Sequence, residues 1–326
     1  MKRPEPRKIG GERSRSPRVM VFAPSPLLTV TIEARPDGAS DIHLHAGGQG
    51  VWIAHLMMVL DVEARLCAPF GGETGEVLTT LLGRSGVVVR PVAVGGENGG
   101  YVHDRRAGGR EVVATAPAPP LTRHELDGLY DTALVEGLDA GVAVLGGPDG
   151  EGVLPVDTYR RLAADLTGAG ARVVADLSGE CLTAALEGGV AVLKVSHDDL
   201  VRDGHAGSDD PDELRAVMGE LARSGAETVI VSRAEQPALA LVGDRTAEVR
   251  TPRFTMLDHR GAGDSMTAGV AAALARGADM DQALRLGAAA GALNTTRHGL
   301  ATGERDLIER LAARVDICPA SEDVTH

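Results

Sequence analysis

Short apolar runs alternate along the chain with stretches whose apolar positions recur at helical spacing. Val142-Ala143-Val144-Leu145 precedes a helical pattern from Val156 to Leu166; Arg172-Val173-Val174-Ala175 follows, then another helical stretch, then Ala191-Val192-Leu193-Lys194. Strands that are apolar at successive positions are covered on both faces, so this alternation predicts a mostly parallel sheet between helical layers. Ligands in such sheets sit beyond the carboxyl ends of the strands, where Asp176, Ser196 and Ser232 fall. Two segments break the rhythm. Leu28 to His45 holds Thr29-Val30-Thr31-Ile32-Glu33, and Tyr101 to Ala114 holds Tyr101-Val102-His103 and Glu111-Val112-Val113-Ala114. Their alternating pieces predict either a small second sheet or an ordinary pair of surface hairpins.

With 326 residues the chain is long enough to bury a substantial core as one large α/β domain. The formal net charge of −13 argues against a nucleic-acid surface, which needs clustered Lys and Arg, and points to a small-molecule partner. Cys67, Cys181 and Cys318 have neither metal-site nor disulfide-framework spacing, which suits a reducing cytoplasm. Residues 1–18 are rich in Lys, Arg and Pro and lack an apolar h-region, so they read as a disordered basic tail. No apolar stretch is long enough to span a bilayer, and residues 317–326 read as a second tail.

Candidate chemistry lies in three glycine clusters. The first is Gly261-Ala262-Gly263-Asp264 before the small-residue run Ala268-Gly269-Val270-Ala271-Ala272-Ala273. Glycines let amides approach an anion, a helix starting there directs its positive end at it, and an aspartate beside it can take a proton. Taken alone, the same pattern is also an ordinary helix cap. The others are Gly47-Gly48-Gln49-Gly50, which runs into an apolar helix, and Gly71-Gly72-Glu73-Thr74-Gly75.

These clusters, with Ala175-Asp176-Leu177-Ser178-Gly179-Glu180, Val229-Ile230-Val231-Ser232 and Asn294-Thr295-Thr296-Arg297-His298-Gly299-Leu300, occur in an order that resembles the PfkB (ribokinase-like) family of small-molecule kinases. The likeness runs from about Val19 to Leu311 and is strongest to the 1-phosphofructokinase and tagatose-6-phosphate kinase branch. It implies a ribokinase-like three-layer α/β/α sandwich over 19–316, with a mostly parallel central sheet. The irregular segments, about 28–45 and 98–115, would form a small β-sheet lid that in many members makes a dimer contact. It also implies ATP as phosphoryl donor, Mg2+, and a sugar-like acceptor. Asp264 would be the base, and Gly261, Ala262 and Gly263 would complete the anion hole. Asp199 falls where the family places a metal-associated glutamate, although the paired asparagine is Ser196 here; a pair of helix N-terminal acids would look the same. Lys194, Ser232, Arg233, Asn294 and Gly299 map to the nucleotide side, and Gly47 and Gly48 to the acceptor side.

Departures from the branch concentrate at the acceptor. Thr29 stands where the branch has an aspartate, Gln49 where it has a lysine, and Trp52 where it has an asparagine. Trp52 is either a wall of the pocket or core on an apolar helix. A Thr-Arg pair that grips phosphate is replaced near Asn98-Gly99, which removes the phosphate clamp unless Arg105, Arg106 or Arg110 supplies one. His45 and His103, with His43 and His55, would lie near this pocket under the lid reading. The family's Ser-Leu-Gly turn is Ser232-Arg233-Ala234 here. Two functions follow: an active kinase with a rebuilt acceptor pocket, or an inactive member that binds a nucleotide or metabolite. The intact Gly261-Ala262-Gly263-Asp264 favours the kinase.

Overall fold

The computed structural model describes residues 16–257, 259–297 and 303–319. Its elements begin with β1 (Arg18–Phe22), β2 (Leu27–Ala34), β3 (Ser40–Gly47), α1 (Gln49–Val59), β4 (Glu63–Phe70), α2 (Gly72–Arg84) and β5 (Val88–Ala93). There follow β6 (Gly100–Asp104), β7 (Glu111–Ala116), α3 (Arg123–Ala140), β8 (Val142–Gly146), α4 (Asp157–Gly168), β9 (Arg172–Asp176), α5 (Gly179–Gly188) and β10 (Val190–Ser196). The remainder is α6 (His197–Arg202), α7 (Pro211–Arg223), β11 (Ala226–Arg233), β12 (Gln236–Val242), β13 (Arg245–Arg250), α8 (Ala262–Ala275), α9 (Met280–Thr295), α10 (Arg305–Ala312) and β14 (Asp316–Pro319).

Period-two geometry divides the buried strands between two cores. Val19 and Val21 of β1 pack with α1, α2, α8, α9 and α10, whereas Met20 and Phe22 pack with α3, α4, α5 and α7. The ten-stranded sheet between them runs β14-β13-β12-β11-β10-β9-β8-β1-β4-β5. It is parallel from β11 to β5, and β12, β13 and β14 add antiparallel strands at one edge. Helices cover both faces of the sheet, the three-layer α/β/α arrangement that the resemblance implies. The sheet also takes in Arg18 at its start and Asp316–Pro319 as β14, so both ends differ from the tail boundaries expected at 18 and 317. β14 pairs with β13 through Ile317 opposite Val249, an edge contact that a four-residue run leaves hard to read.

The irregular segments form a separate four-stranded sheet in the order β3-β2-β6-β7. Thr29 lies opposite His45 and Thr31 opposite His43, while Val30 opposite Leu44 and Ile32 opposite Ile42 share the other face. That second face leaves Ile42 64% exposed and Leu44 47% exposed.

Helix starts differ according to what they face. α3 and α9 begin with reciprocal capping boxes, Thr122 with Glu125 and Asp279 with Gln282. α1 and α8 begin at Gly48 and Gly261 with no side-chain cap, as do α2, α4, α5 and α10, and the first amide of α8, on Ala262, donates to the His259 carbonyl. α8 is buried from Ser265 to Leu274, and its approach to α9 requires glycine on both sides. A Cβ on Gly269 would lie 2.7 Å from Gly287 Cα, a backbone atom that cannot swing aside. Gly269→Val is therefore expected to lower stability by about 2–3 kcal/mol, read as a lower denaturant midpoint.

Candidate active site

A cleft of 1630 Å3 opens between the carboxyl ends of the parallel strands and the small sheet. Asp264, in the first turn of α8, lies on its floor. Gly261 takes a left-handed conformation (φ 71°), which turns the chain into the helix; the Ala262 N–H donates to the His259 carbonyl at 3.3 Å, and Gly263 and Asp264 follow in the first turn. On the opposite wall Gly48 (φ 97°) starts α1, and a Cβ there would lie 2.6 Å from the Ser25 carbonyl oxygen. Two glycine-initiated helices thus converge on one cleft.

Beneath the α8 start is a buried charge balance. Lys194 Nζ donates to Asp176 Oδ1 at 3.2 Å, and Thr267 Oγ1 donates to Asp176 Oδ2 at 2.6 Å. A Cβ on Gly263 would lie 2.4 Å from Lys194 Nζ, so the glycine makes room for the ammonium under the helix. Burial opposes the charge on Lys194, but Asp176, Asp264 and Asp199 outweigh it and hold its pKa above the ordinary lysine value. Asp264 is the complement: burial, then the neighbouring Asp176, push its carboxyl up to about 7, against opposing pulls from Lys194 and the Gln49 side chain.

The other residues singled out from sequence separate into those on the cleft surface and those supporting it. Thr29, Gly48, Gln49, Trp52 and His45 line the cleft, and Gly47 backs it, its Cβ position lying 2.8 Å from Thr29 Oγ1. Trp52 both faces the cleft and packs against the core, with an edge contact to His55. Burial first, then His43, lowers the pKa of His45, so the ring is neutral near pH 7. Asp199 lines the cleft, with Oδ2 accepting from Ser196 Oγ and Oδ1 from Arg202 Nη1 at 2.7 Å. Burial alone would raise its pKa, but these two bonds outweigh it and lower it.

Of the residues expected at a nucleotide, Lys194 is buried beneath the start of α8 and does not line the cleft. Ser232 Oγ donates to the Val195 carbonyl at 3.5 Å, and Arg233 is buried with Nη2 donating to the Asp209 carbonyl. Their segment forms a hairpin in which Ala234 (φ 45°) takes the left-handed turn position. Asn294 Nδ2 donates to the Arg260 carbonyl at 2.6 Å, tying the end of α9 to the loop before Gly261. Gly299 lies outside the described residues.

Two of the three arginines singled out as possible replacements for a phosphate clamp reach the cleft. Arg105 and Arg110 of the small sheet and Arg260 from the loop before α8 all line the cleft. Arg110 Nη2 donates to His103 Nε2 at 2.7 Å, which leaves the proton of a neutral ring on Nδ1. Burial, then Arg110, Arg260 and Arg105, depress the His103 pKa, so the ring adds no competing charge. Arg106 instead pairs with Asp104 at 2.6 Å. Sequence reasoning did not pick out Arg260, nor Tyr101, whose hydroxyl donates to Asp149 Oδ2 at 2.8 Å across the cleft mouth. The only signal for Arg260 was its place beside Gly261.

The sequence matches the family model described as pfkB family carbohydrate kinase over residues 27–307. It is 30% identical over 307 residues to ATP-dependent 6-phosphofructokinase isozyme 2 of Mycobacterium tuberculosis, covering 90% of this chain and 88% of the relative. It is 27% identical over 275 residues to 1-phosphofructokinase of Bacillus subtilis, covering 84% and 88%. The structure of phosphofructokinase-2 from Escherichia coli in complex with potassium superposes with a TM-score of 0.81 and 26% identity, covering 91% of this chain and 98% of that one. Arabidopsis thaliana ribokinase complexed with ribose and ATP shares the fold, with a TM-score of 0.71 at 18% identity and coverage of 91% and 99%.

A carboxyl with this surrounding should titrate near neutrality, neutral below and ionised above about pH 7. Carbon-13 NMR of aspartate-labelled protein is expected to show one carboxyl resonance with that midpoint, absent in Asp264→Asn. Asp176→Asn removes a neighbouring negative charge and is expected to move the midpoint down.

Proposed function

The chain belongs to the pfkB family of carbohydrate kinases, and we propose that Asp264 is the base of its reaction, with the first amides of α8 as its anion hole. The enzyme is an ATP-dependent kinase that transfers the γ-phosphoryl group to a hydroxyl of a sugar or sugar-like acceptor. The placement of Asp264 in the first turn of a glycine-initiated helix on the cleft floor carries the residue assignment. As the acceptor oxygen bonds to the γ-phosphorus and the bond to the ADP oxygen breaks, Asp264 takes the hydroxyl proton. The amides of Ala262, Gly263 and Asp264 stabilise charge on the phosphoryl oxygens. The altered turn after β11 favoured an inactive member, but a catalytic carboxylate kept in this geometry, together with relatives named as active kinases, favours turnover.

Lys194 supplies a fixed positive charge under the transferred group, and Asn294 keeps the Arg260 loop in register. Ser232 and Arg233, placed by the resemblance at the nucleotide, shape the rim of that side through their bonds to backbone carbonyls. Among the described residues no three side chains of His, Cys, Asp or Glu converge as a metal cage. That suits Mg2+, which keeps its waters; Asp199 on the cleft wall would hold one of them, and the ion would neutralise nucleotide phosphate charge.

Thr29, Gly47, Gly48, Trp52 and His45 form the acceptor wall, and Arg105, Arg110 and Arg260 favour an acceptor that carries its own anionic group. One kinase domain, expected over 19–316, runs from β1 through β14, with the small sheet as its lid. The exposed Ile42, Leu44 and Val112 on the lid support a homodimer formed through that sheet. The unpaired cysteines suit a cytoplasmic location, and no helix among the described residues is long and apolar enough to cross a membrane.

ADP formation should be measured across neutral sugars, polyols and sugar phosphates. Asp264→Asn is expected to lower kcat by about 10²–10⁴-fold while ATP still binds; unchanged turnover would remove Asp264 from the mechanism. Arg110→Ala is expected to raise KM for a phosphorylated acceptor by about 10–100-fold with kcat largely kept, the loss of about 1.5–3 kcal/mol of charge-assisted binding. An equal effect on a neutral sugar would contradict the anionic-acceptor reading.

A further inference from the structure

We propose that His103 is a positioning residue that holds the Arg110 guanidinium at the cleft through a neutral hydrogen bond, adding no negative charge that would compete with the substrate's own anion. The inference rests on reading Arg110 as a contact for an anionic substrate. Arg110 lines the cleft and immediately precedes β7, and its Nη2 donates to His103 Nε2 at 2.7 Å. A guanidinium can only donate, so Nε2 accepts and the proton of the neutral ring sits on Nδ1. Nδ1 is buried and has no hydrogen-bond partner among the described residues.

Strand register puts His103 on the cleft face of the small sheet without making it part of the cleft wall. It lies beside Thr31 of β2 as Tyr101 lies beside Thr29, and these three neighbours line the cleft. His103 itself is 6% exposed, with its ring centroid 5.4 Å from that of Tyr101. The ring nitrogen able to accept is the one that Arg110 already occupies.

The adjoining residue supplies the contrast. Arg106 Nε donates to Asp104 Oδ1 at 3.0 Å and Nη2 to Oδ2 at 2.6 Å, and Arg106 stays off the cleft wall. A carboxylate takes a guanidinium bidentately and cancels its charge, whereas a neutral imidazole orients it and cancels nothing. Burial, then Arg110, Arg260 and Arg105, lower the pKa of His103 and keep the ring uncharged near neutral pH.

Nitrogen-15 NMR of histidine-labelled protein without substrate tests the geometry. The resonances lost in His103→Gln are expected to report the Nδ1–H tautomer in the wild type; an Nε2–H tautomer overturns the proposal. Kinetics with ATP test the role, using whichever of fructose 1-phosphate, fructose 6-phosphate and tagatose 6-phosphate has the lowest KM. His103→Gln, whose side-chain carbonyl can accept from Arg110, is expected to keep KM within about twofold of wild type. His103→Leu is expected to raise it about 3–10-fold, and His103→Glu, which adds a competing carboxylate, about 10–100-fold. In all three kcat should stay within about twofold, and in an Arg110→Ala background His103→Leu should add less than about twofold, because the pair acts as one unit.

An unchanged KM in His103→Leu, a KM in His103→Gln as high as in His103→Glu, or a His103→Leu effect undiminished by Arg110→Ala overturns the positioning role and leaves the anionic-substrate reading intact. If His103→Leu fails to fold, His103→Gln against His103→Glu still separates orientation from charge. Turnover of none of the three phosphates, or an Arg110→Ala KM equal to that of the wild type, refutes the anionic-substrate reading itself and the proposal with it.

Discussion

A buried lysine held between aspartates is the constraint on which the site depends. Lys194 and Asp176 are each only 7% exposed at the side chain, and burying either alone would cost several kcal/mol. Paired, they fasten the ends of β9 and β10 to the underside of α8, with Thr267 completing the coordination of Asp176. This arrangement requires glycine at 263 and leaves Asp264 close to one positive and one negative neighbour. The near-neutral titration of Asp264 follows from that balance together with burial. A base whose pKa lies near the working pH accepts a proton efficiently and still exists largely in its basic form.

Geometry above the floor follows from sheet parity. Residues of β2 and β3 that face inward present Thr29, Thr31, His43 and His45 to the cleft, and their neighbours Val30, Ile32, Ile42 and Leu44 form the opposite face. A one-residue slip would exchange a polar pocket wall for an apolar one. The lid contributes charge through Arg105 and Arg110 and reaches the main domain through Tyr101 and Asp149. The same small sheet therefore supplies both the polar wall and part of the positive charge of the cleft.

Much of the fold was legible because its signals are local. Apolar strands covered on both faces, glycine-initiated helices and the alternating lid segments each announce themselves within a few residues. Asp264 was legible for the same reason, since its glycines precede it directly. The setting of Gln49 was not, because the bond that its Oε1 accepts from the Gly147 N–H joins residues 98 apart in the sequence. The lid arginines show the same limit. Arg105 and Arg110 line the cleft and Arg106 pairs with Asp104, a distinction made within the loop between β6 and β7 that composition does not reveal. Arg260 lay beside the glycine cluster, but only the fold brings it toward His103.

Transfer of phosphate from ATP to a carbohydrate hydroxyl must consume the donor and form a phosphoester in step. Phosphorus-31 NMR of the complete reaction, with ATP, Mg2+ and a panel of sugars and sugar phosphates, tests it most directly because it follows donor and product together. The account expects one new phosphoester for each ADP formed with at least one acceptor. ADP accompanied only by inorganic phosphate, or bound ATP that stays intact with every acceptor, would contradict it.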